Sequence, residues 1–145
     1  MKKISLSKSR FSIDEIEPGI SFSQSHQIKE EDIHAFAEIS GDKNPVHLDN
    51  NYAKGTRFKK RIAHGLMSAS FFSAIFGTKI PGEGCVYVSQ TLKFLRPVYI
   101  DDVVDAKVTV IDVFFKRNVV KFKTECFVDE KKVISGIAEL YVPPK

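Results

Sequence analysis

The feature that most constrains this chain is the run AHGLMSASFFSAIFG at positions 63–77, which contains no proline, acidic residue, lysine or arginine. Its large apolar side chains are distributed around the helical cylinder, a pattern typical of a helix with no solvent-facing side. At ~1.5 Å per residue the run spans roughly 20 Å, which is too short to cross a bilayer. The sequence therefore predicts a buried helix at the centre of a small domain.

The start of this helix is a candidate binding site. Gly65 has no side chain, so a ligand can approach the backbone closely, and the free N–H groups of a first helical turn favour negative charge. An oxyanion could bind there. The alternative role for Gly65 is close packing of the helix start against a strand, and both roles can hold together.

Length and composition indicate an ordinary globular protein. With 145 residues, 43% of them hydrophobic and 28% charged, the chain predicts one domain over residues 1–145 and argues against disorder. Residues 1–10 are polar and basic, so we expect a loosely attached tail, without a signal peptide or membrane span. Cys85 and Cys126 lie in apolar strand patterns and are expected to be reduced thiols. A cytoplasmic protein is the simplest interpretation.

The basic balance of the chain points to an anionic partner. A net charge of +4 and a pI near 9.0 suit nucleic acid, a membrane surface or a phosphorylated small molecule. The residues that could contact phosphates are Arg57, Lys59, Lys60, Arg61, Lys93 and Arg96. Because no exposed aromatic platforms alternate with them, nucleic acid is a poor fit.

The remaining segments predict an α+β architecture. A weak strand over 21–28 and a helix over 29–39 precede a turn-rich loop, and a helical turn is expected over 50–54. Four apolar or alternating segments follow the central helix, at 85–95, 103–114, 119–128 and 133–142. Short polar turns separate them, which predicts an antiparallel meander curled around the helix. A single sheet covers only part of such a helix, so we expect a second subunit to complete the packing.

The loop before the central helix carries the strongest catalytic candidates. Asp42 and His47 lie on a stretch rich in turn-forming residues, including a proline, which can hold both side chains toward one point. A carboxylate and an imidazole within reach of one water are suited to acid–base chemistry near neutral pH. Alternatively, Asp42 only caps the loop while His47 packs against it. A metal site formed with Asp49 matches no ligand spacing, so no metal is expected. His64 is expected to orient the helix start.

Three segments resemble one known family. FAEISGDKNPVHLD at 36–49, followed by YA at 52–53 and RIAHGLM at 61–67, is similar to the hydratase-2 motif of the MaoC-like (R)-specific enoyl-CoA hydratases. The segment VYVSQTLKFLRPV at 86–98 also resembles that family. The likeness extends from residue 20 to residue 142, with no departure at the motif positions. It implies the hot-dog fold, an antiparallel sheet wrapped around one long helix, usually in a homodimer or a dimer-based higher oligomer.

The resemblance also implies an activity, namely addition of water to C3 of a trans-2-enoyl thioester, or the reverse dehydration, in fatty acid metabolism. By resemblance, Asp42 and His47 are the catalytic pair that holds the water, with Asp42 the general base. Gly65 corresponds to the position whose N–H holds the thioester oxygen. Asn44 would brace the loop, Ser73 would support the pair and Phe76 would form the floor of the acyl pocket. No cofactor is required, and the partner is CoA or acyl carrier protein.

Other functions are compatible with the same sequence features. A hot-dog thioesterase would use the same scaffold with water directed at the carbonyl carbon. A non-catalytic acyl-thioester binder or a nucleic-acid-binding module is the alternative from another class.

Overall fold

The computed structural model describes residues 9–144. Five strands or helices precede the sheet meander: β1 (Ser21–Gln27), α1 (Glu30–Ser40), α2 (Pro45–Leu48), α3 (Asn50–Lys54) and α4 (Gly65–Thr78). They are followed by β2 (Val86–Gln90), β3 (Lys93–Phe94), β4 (Val103–Phe114), β5 (Val119–Val128) and β6 (Lys131–Tyr141). Over these residues, no helix has both the length and the apolar character needed to cross a bilayer.

The strands form one antiparallel sheet in the order β1-β4-β5-β6-β2, with β3 also paired to β6. The predicted meander is confirmed by β4, β5 and β6, which are consecutive neighbours. The strand expected over 85–95 is instead divided into β2 and β3. Between β2 and β3, the carbonyl oxygen of Thr91 lies very close to Gly136 of β6: a Cβ atom on Gly136 would be only 1.9 Å from this oxygen. The chain leaves regular strand pairing at this close approach.

The sheet curves around α4, which confirms the expected α+β hot-dog architecture. The helix buries Phe72, Ile75 and Phe76 against the sheet, and the ring of Phe76 packs 4.7 Å from that of Phe122 between centroids. Burial of side chains of this size contributes about 1.5–3 kcal/mol each. The helix is therefore fixed to the sheet by its aromatic face.

The expectation that α4 has no solvent-facing side is wrong for the single chain. One stripe of the helix is exposed, and it consists of Leu66, Ser70, Ser73, Ala74, Gly77 and Thr78. Apart from Leu66 these residues are small, and the largest side chains of the helix, such as Phe72 and Phe76, face the sheet. The edge strand β2 is likewise exposed, and Val86 and Val88 each keep 56% of their surface accessible.

The N-terminal boundary also differs from the expectation of a loose tail over residues 1–10. Residues 1–8 lie outside the described part of the chain, but Arg10 pairs with Gly82 and the carbonyl of Ser9 accepts a hydrogen bond from the N–H of Glu83. The guanidinium of Arg10 also donates to the carbonyl of Pro143 at 3.1 Å. Residues 9 and 10 therefore belong to the folded structure.

The two cysteines are free thiols, as predicted. Cys126 is completely buried, and burial raises the pKa of its thiol to about 12. Cys85 is half-buried, and its thiol donates to the carbonyl of Phe76.

Candidate active site

The loop between α1 and α2 is held by its own side chains. Gly41 ends α1 in the left-handed conformation at φ 78°, which an L side chain rarely adopts. The Oδ1 atom of Asp42 then accepts a hydrogen bond from the N–H of Asn44 at 3.1 Å, and the Asn44 side chain accepts one from the N–H of Val46 at 3.2 Å. Asn44 thus caps α2, with Pro45 at its first position. These bonds fix the loop that carries the two candidate residues.

The two candidate side chains face each other. Oδ2 of Asp42 lies 3.9 Å from Nε2 of His47, too far for a direct hydrogen bond but suitable for one bridging water. The Asp42 side chain is half-exposed, whereas His47 is buried. Burial lowers the pKa of His47 below its ordinary value of 6.5, with the nearby His64 acting in the same direction. His47 is therefore neutral at pH 7.

Hydrogen bonding fixes the tautomer of His47. Its Nδ1 atom lies 2.7 Å from the carbonyl oxygen of Ile62, and a carbonyl can only accept, so Nδ1 carries the proton. In the neutral ring, Nε2 then presents its lone pair toward Asp42. The Asp42 carboxylate and Nε2 of His47 are both hydrogen-bond acceptors, so a water between them can donate one hydrogen to each.

His64 organises this pair from behind. It is 2% exposed, its Nε2–H donates to the backbone carbonyl of Asp42 at 3.0 Å, and its ring lies between those of His47 and Phe36. The His47 and His64 rings are stacked with centroids 3.9 Å apart. The Nδ1 atom of His64 is buried with no hydrogen-bond partner in the described chain.

Gly65 begins α4 immediately after His64. Within residues 9–144 its N–H has no hydrogen-bond acceptor, as expected at the first position of a helix. A Cβ on Gly65 would lie 2.6 Å from the ring atom Cδ1 of Phe94, so the phenyl ring occupies the space that a side chain would need. Both roles considered for this glycine, an open donor and close packing against a strand, fit this geometry.

Asp42, His47, His64 and Gly65 all line one cavity of about 420 Å³. Its apolar wall is formed by Phe36, Phe58, Leu66, Phe94, Val98 and Ile134, and two guanidinium groups, from Arg57 and Arg96, also line it. An elongated apolar ligand can thus lie beside the carboxylate, the imidazole and the free N–H. The size is that of a small-molecule site, typically ~300–1,000 Å³.

Two of the residues proposed by resemblance do not line this cavity. Ser73 is on the exposed stripe of α4, and Phe76 is buried in the core against Phe122 and Tyr87. Phe76 is eleven residues beyond Gly65, which is roughly 16 Å along the helix. In the single chain, Ser73 therefore does not support the pair and Phe76 does not form the floor of the cavity.

The sequence did not identify the residues that line the cavity next to the catalytic candidates. Phe36 and Phe94 form the aromatic wall near the pair, although their apolar spacing only indicated core positions. Of the predicted basic residues, Arg57 and Arg96 line the cavity, whereas Arg61 is buried and forms an ion pair with Glu30.

The cluster of Asp42, His47 and His64 has the ligand types of a metal site, with donor atoms within 4.8 Å of one another. However, the two imidazole rings are stacked at an angle of only 29°. Stacked rings present their faces to each other, and this arrangement is a poor one for two imidazoles that must direct in-plane lone pairs at one tetrahedral ion. Asp49 is not part of the cluster, because its side chain caps α3 through the N–H of Tyr52. The geometry does not fit a metal centre.

Comparison with known proteins gives a consistent result. Residues 13–135 match the MaoC-like domain family. The chain is 47% identical over 132 residues to an (R)-specific enoyl-CoA hydratase of Rhodospirillum rubrum, covering 91% of this chain and 92% of that protein. It is 41% identical over 117 residues to a mitochondrial 3-hydroxyacyl-[acyl-carrier-protein] dehydratase of Arabidopsis thaliana, covering 78% and 69%. An unliganded R-hydratase structure from Pseudomonas aeruginosa superposes with a TM-score of 0.89 at 39% identity, covering 94% and 88%.

Proposed function

Since this chain belongs to the MaoC-like domain family, we propose that it is a hydro-lyase acting on acyl thioesters. It adds water to trans-2-enoyl thioesters to give (R)-3-hydroxyacyl thioesters, and it catalyses the reverse dehydration. The substrate is carried by CoA or by acyl carrier protein. The relatives named above, a hydratase and a dehydratase, support both directions and the R configuration.

One observation carries the proposal. The Asp42 carboxylate and the His47 Nε2 atom are separated by the space of one water, in the same cavity as the unpaired N–H of Gly65. Hydration of a conjugated thioester needs these two things together. The attacking oxygen needs a base, and the carbonyl needs a donor while it accumulates negative charge.

In the proposed mechanism, the water donates one hydrogen to the Asp42 carboxylate and the other to Nε2 of His47. Asp42 acts as general base and takes its proton as the C3–O bond forms. The electrons of the C2=C3 bond move to the thioester oxygen, where the N–H of Gly65 stabilises the enolate. The proton held by Asp42 is then delivered to C2, so the pair ends in its starting state and no proton is gained or lost. His47 orients the water throughout.

A homodimer is part of the proposal. Two observations support it: the exposed edge strand β2 carries the apolar residues Val86 and Val88, and the small-residue stripe of α4 is unpacked in the single chain. An unpaired apolar strand edge readily pairs with another chain. A second copy would cover both features and bring Ser73 into an interface.

A cytoplasmic location is proposed on the chemistry of the two cysteines. Cys85 and Cys126 are unpaired thiols, and free thiols are typical of reducing compartments.

The experiment that tests the function uses crotonyl-CoA. Purified protein should remove the enoyl absorbance without releasing thiol, and chiral analysis should identify the product as the R-3-hydroxy thioester. Release of free thiol without loss of the enoyl group would instead indicate a thioesterase. Unchanged absorbance across a range of pH would contradict the proposal.

A further inference from the structure

A second cavity, of about 440 Å³, lies outside the catalytic one. Its lining is mostly polar and basic and consists of Asn50, Asn51, Lys54, Lys59, Lys60, Arg61, Tyr99, Ile100 and Asp101. The proposed hydration chemistry uses none of these residues. The carboxamides of the two asparagines add both donors and acceptors to the cationic wall.

Most of the positive charge in this cavity is not neutralised by an ion pair within residues 9–144. Among residues 9–144, neither Lys54 nor Lys59 has an ion-pair partner, and the Lys60 ammonium lies 4.8 Å from the centre of the Tyr99 ring. Arg61 is not available, because it is buried and paired with Glu30. Asp101 is the one carboxylate of the lining. Three lysines therefore face one acid, which favours an anionic ligand that also offers hydrogen-bond donors.

The two cavities adjoin each other. Arg57 and Phe58 line the catalytic cavity, and the next residues in the chain, Lys59 and Lys60, line the second. On the facing segment, Arg96 and Pro97 line the first cavity while Tyr99 and Ile100 line the second.

Two hydrogen bonds hold these segments together. The N–H of Ala63 donates to the carbonyl of Val98 at 2.7 Å, and the Tyr99 hydroxyl donates to the carbonyl of Phe58 at 3.2 Å. The two segments that line both cavities therefore lie side by side, and a long ligand that extends along them from the first cavity would meet the three lysines.

We propose that the second cavity binds the nucleoside-phosphate end of the thioester carrier, so that the chain takes its acyl group from CoA rather than from acyl carrier protein. This inference rests on the proposed function and assigns its carrier. Lys54, Lys59 and Lys60 contact the phosphates, while Asn50, Asn51 and Asp101 face the ribose and base. A carrier protein has only one phosphodiester and docks through a surface of roughly 800 Å² per partner, not through a hollow of this size.

The test compares two thioesters that share one acyl group. Crotonyl-CoA carries the nucleotide, whereas crotonyl-N-acetylcysteamine lacks every phosphate. In the variant K54Q/K59Q/K60Q, the ratio of kcat/KM for the CoA thioester to that for the truncated thioester should fall roughly tenfold, because three exposed charge contacts are lost. Replacing Lys116 and Arg117 with glutamine at the β4–β5 turn, which lines neither cavity, should leave this ratio as in the wild type.

Adenosine 3′,5′-bisphosphate provides a second measurement that does not depend on turnover. It should bind to the wild-type protein in calorimetry and inhibit competitively against crotonyl-CoA, with roughly tenfold weaker binding in the triple variant. An unchanged ratio, absence of bisphosphate binding, or preferred turnover of crotonyl-acyl carrier protein over crotonyl-CoA would each overturn the inference. If the wild-type protein hydrates neither small thioester, the proposed function fails, and calorimetry still decides whether the second cavity binds the nucleotide.

Discussion

The imidazole rings of His47 and His64 lie face to face, with centroids 3.9 Å apart and planes inclined by 29°. Each ring donates one N–H to a backbone carbonyl, that of Ile62 for His47 and that of Asp42 for His64. The two rings thus connect the loop that carries Asp42 to the segment that leads into α4. This stacked pair determines where the proposed base stands relative to the N–H of Gly65.

The stack predicts a measurable effect of His64→Phe. The phenyl ring preserves the stack but loses the hydrogen bond to Asp42, worth about 0.5–1.5 kcal/mol, so kcat should fall roughly fivefold. Because an aromatic face attracts a cation, the pKa of His47 should rise, and the acid limb of the kcat/KM profile should move to higher pH. His34→Gln, on the exposed surface of α1, is the control. A pH profile identical to that of the wild type would show that His64 is only structural.

Gly65→Ala tests the start of α4. The new methyl group would lie 2.6 Å from the ring of Phe94, a residue that is 53% exposed, so the ring can rotate away at a small cost in stability. The helix start and its free N–H would shift with respect to the substrate, so we expect kcat to fall about tenfold or more with only a modest change in Tm. Gly55→Ala, where the nearest contact is an ordinary 3.6 Å, is the matched control. Full activity in Gly65→Ala would contradict the role of this N–H.

Much of this site could be predicted from the sequence because it is local. Asp42 and His47 are five positions apart, and the turn-forming residues between them fix their geometry through short-range hydrogen bonds. The contact between His47 and His64 could not be predicted, since it depends on long-range pairing such as that of Ala63 with Val98. The positions of Ser73 and Phe76 relative to the cavity could not be predicted either. A helix rich in apolar residues on every side does not reveal from its periodicity which face meets the sheet.

The protonation of His47 predicts how stability depends on pH. Burial lowers the pKa of His47 in the folded state below 6.5, so the unfolded chain binds more protons between these two values. The stability contributed by neutral His47 is fully present above about pH 6.5 and is lost as the pH falls through the folded-state pKa. Denaturant unfolding of wild type and His47→Gln between pH 5 and 8 should show a smaller decrease toward acid in the variant. Parallel curves would contradict this assignment.

The exposed edge of β2 predicts the effect of a charge on assembly. Val88→Lys should shift the proposed homodimer to a monomer, because an edge lysine opposes strand pairing between chains. Light scattering after size-exclusion chromatography measures the mass directly. Val103→Lys on β4, at a valine exposed to a similar extent, 47% against 56%, should remain dimeric. A Val88→Lys protein that keeps the dimer mass would place the interface elsewhere.

The most direct test of the account is the rate at which Asp42→Asn hydrates crotonyl-CoA. Asparagine preserves the size and the hydrogen bond to the N–H of Asn44 but cannot take a proton from water. We predict that kcat falls by about 10²–10⁴-fold with little change in Tm, as for loss of a general base. Asp129→Asn at the β5–β6 turn, which lines neither cavity, should keep the wild-type rate. Hydration by Asp42→Asn within a few fold of the wild-type rate would contradict the assignment of Asp42 and His47 as the catalytic pair.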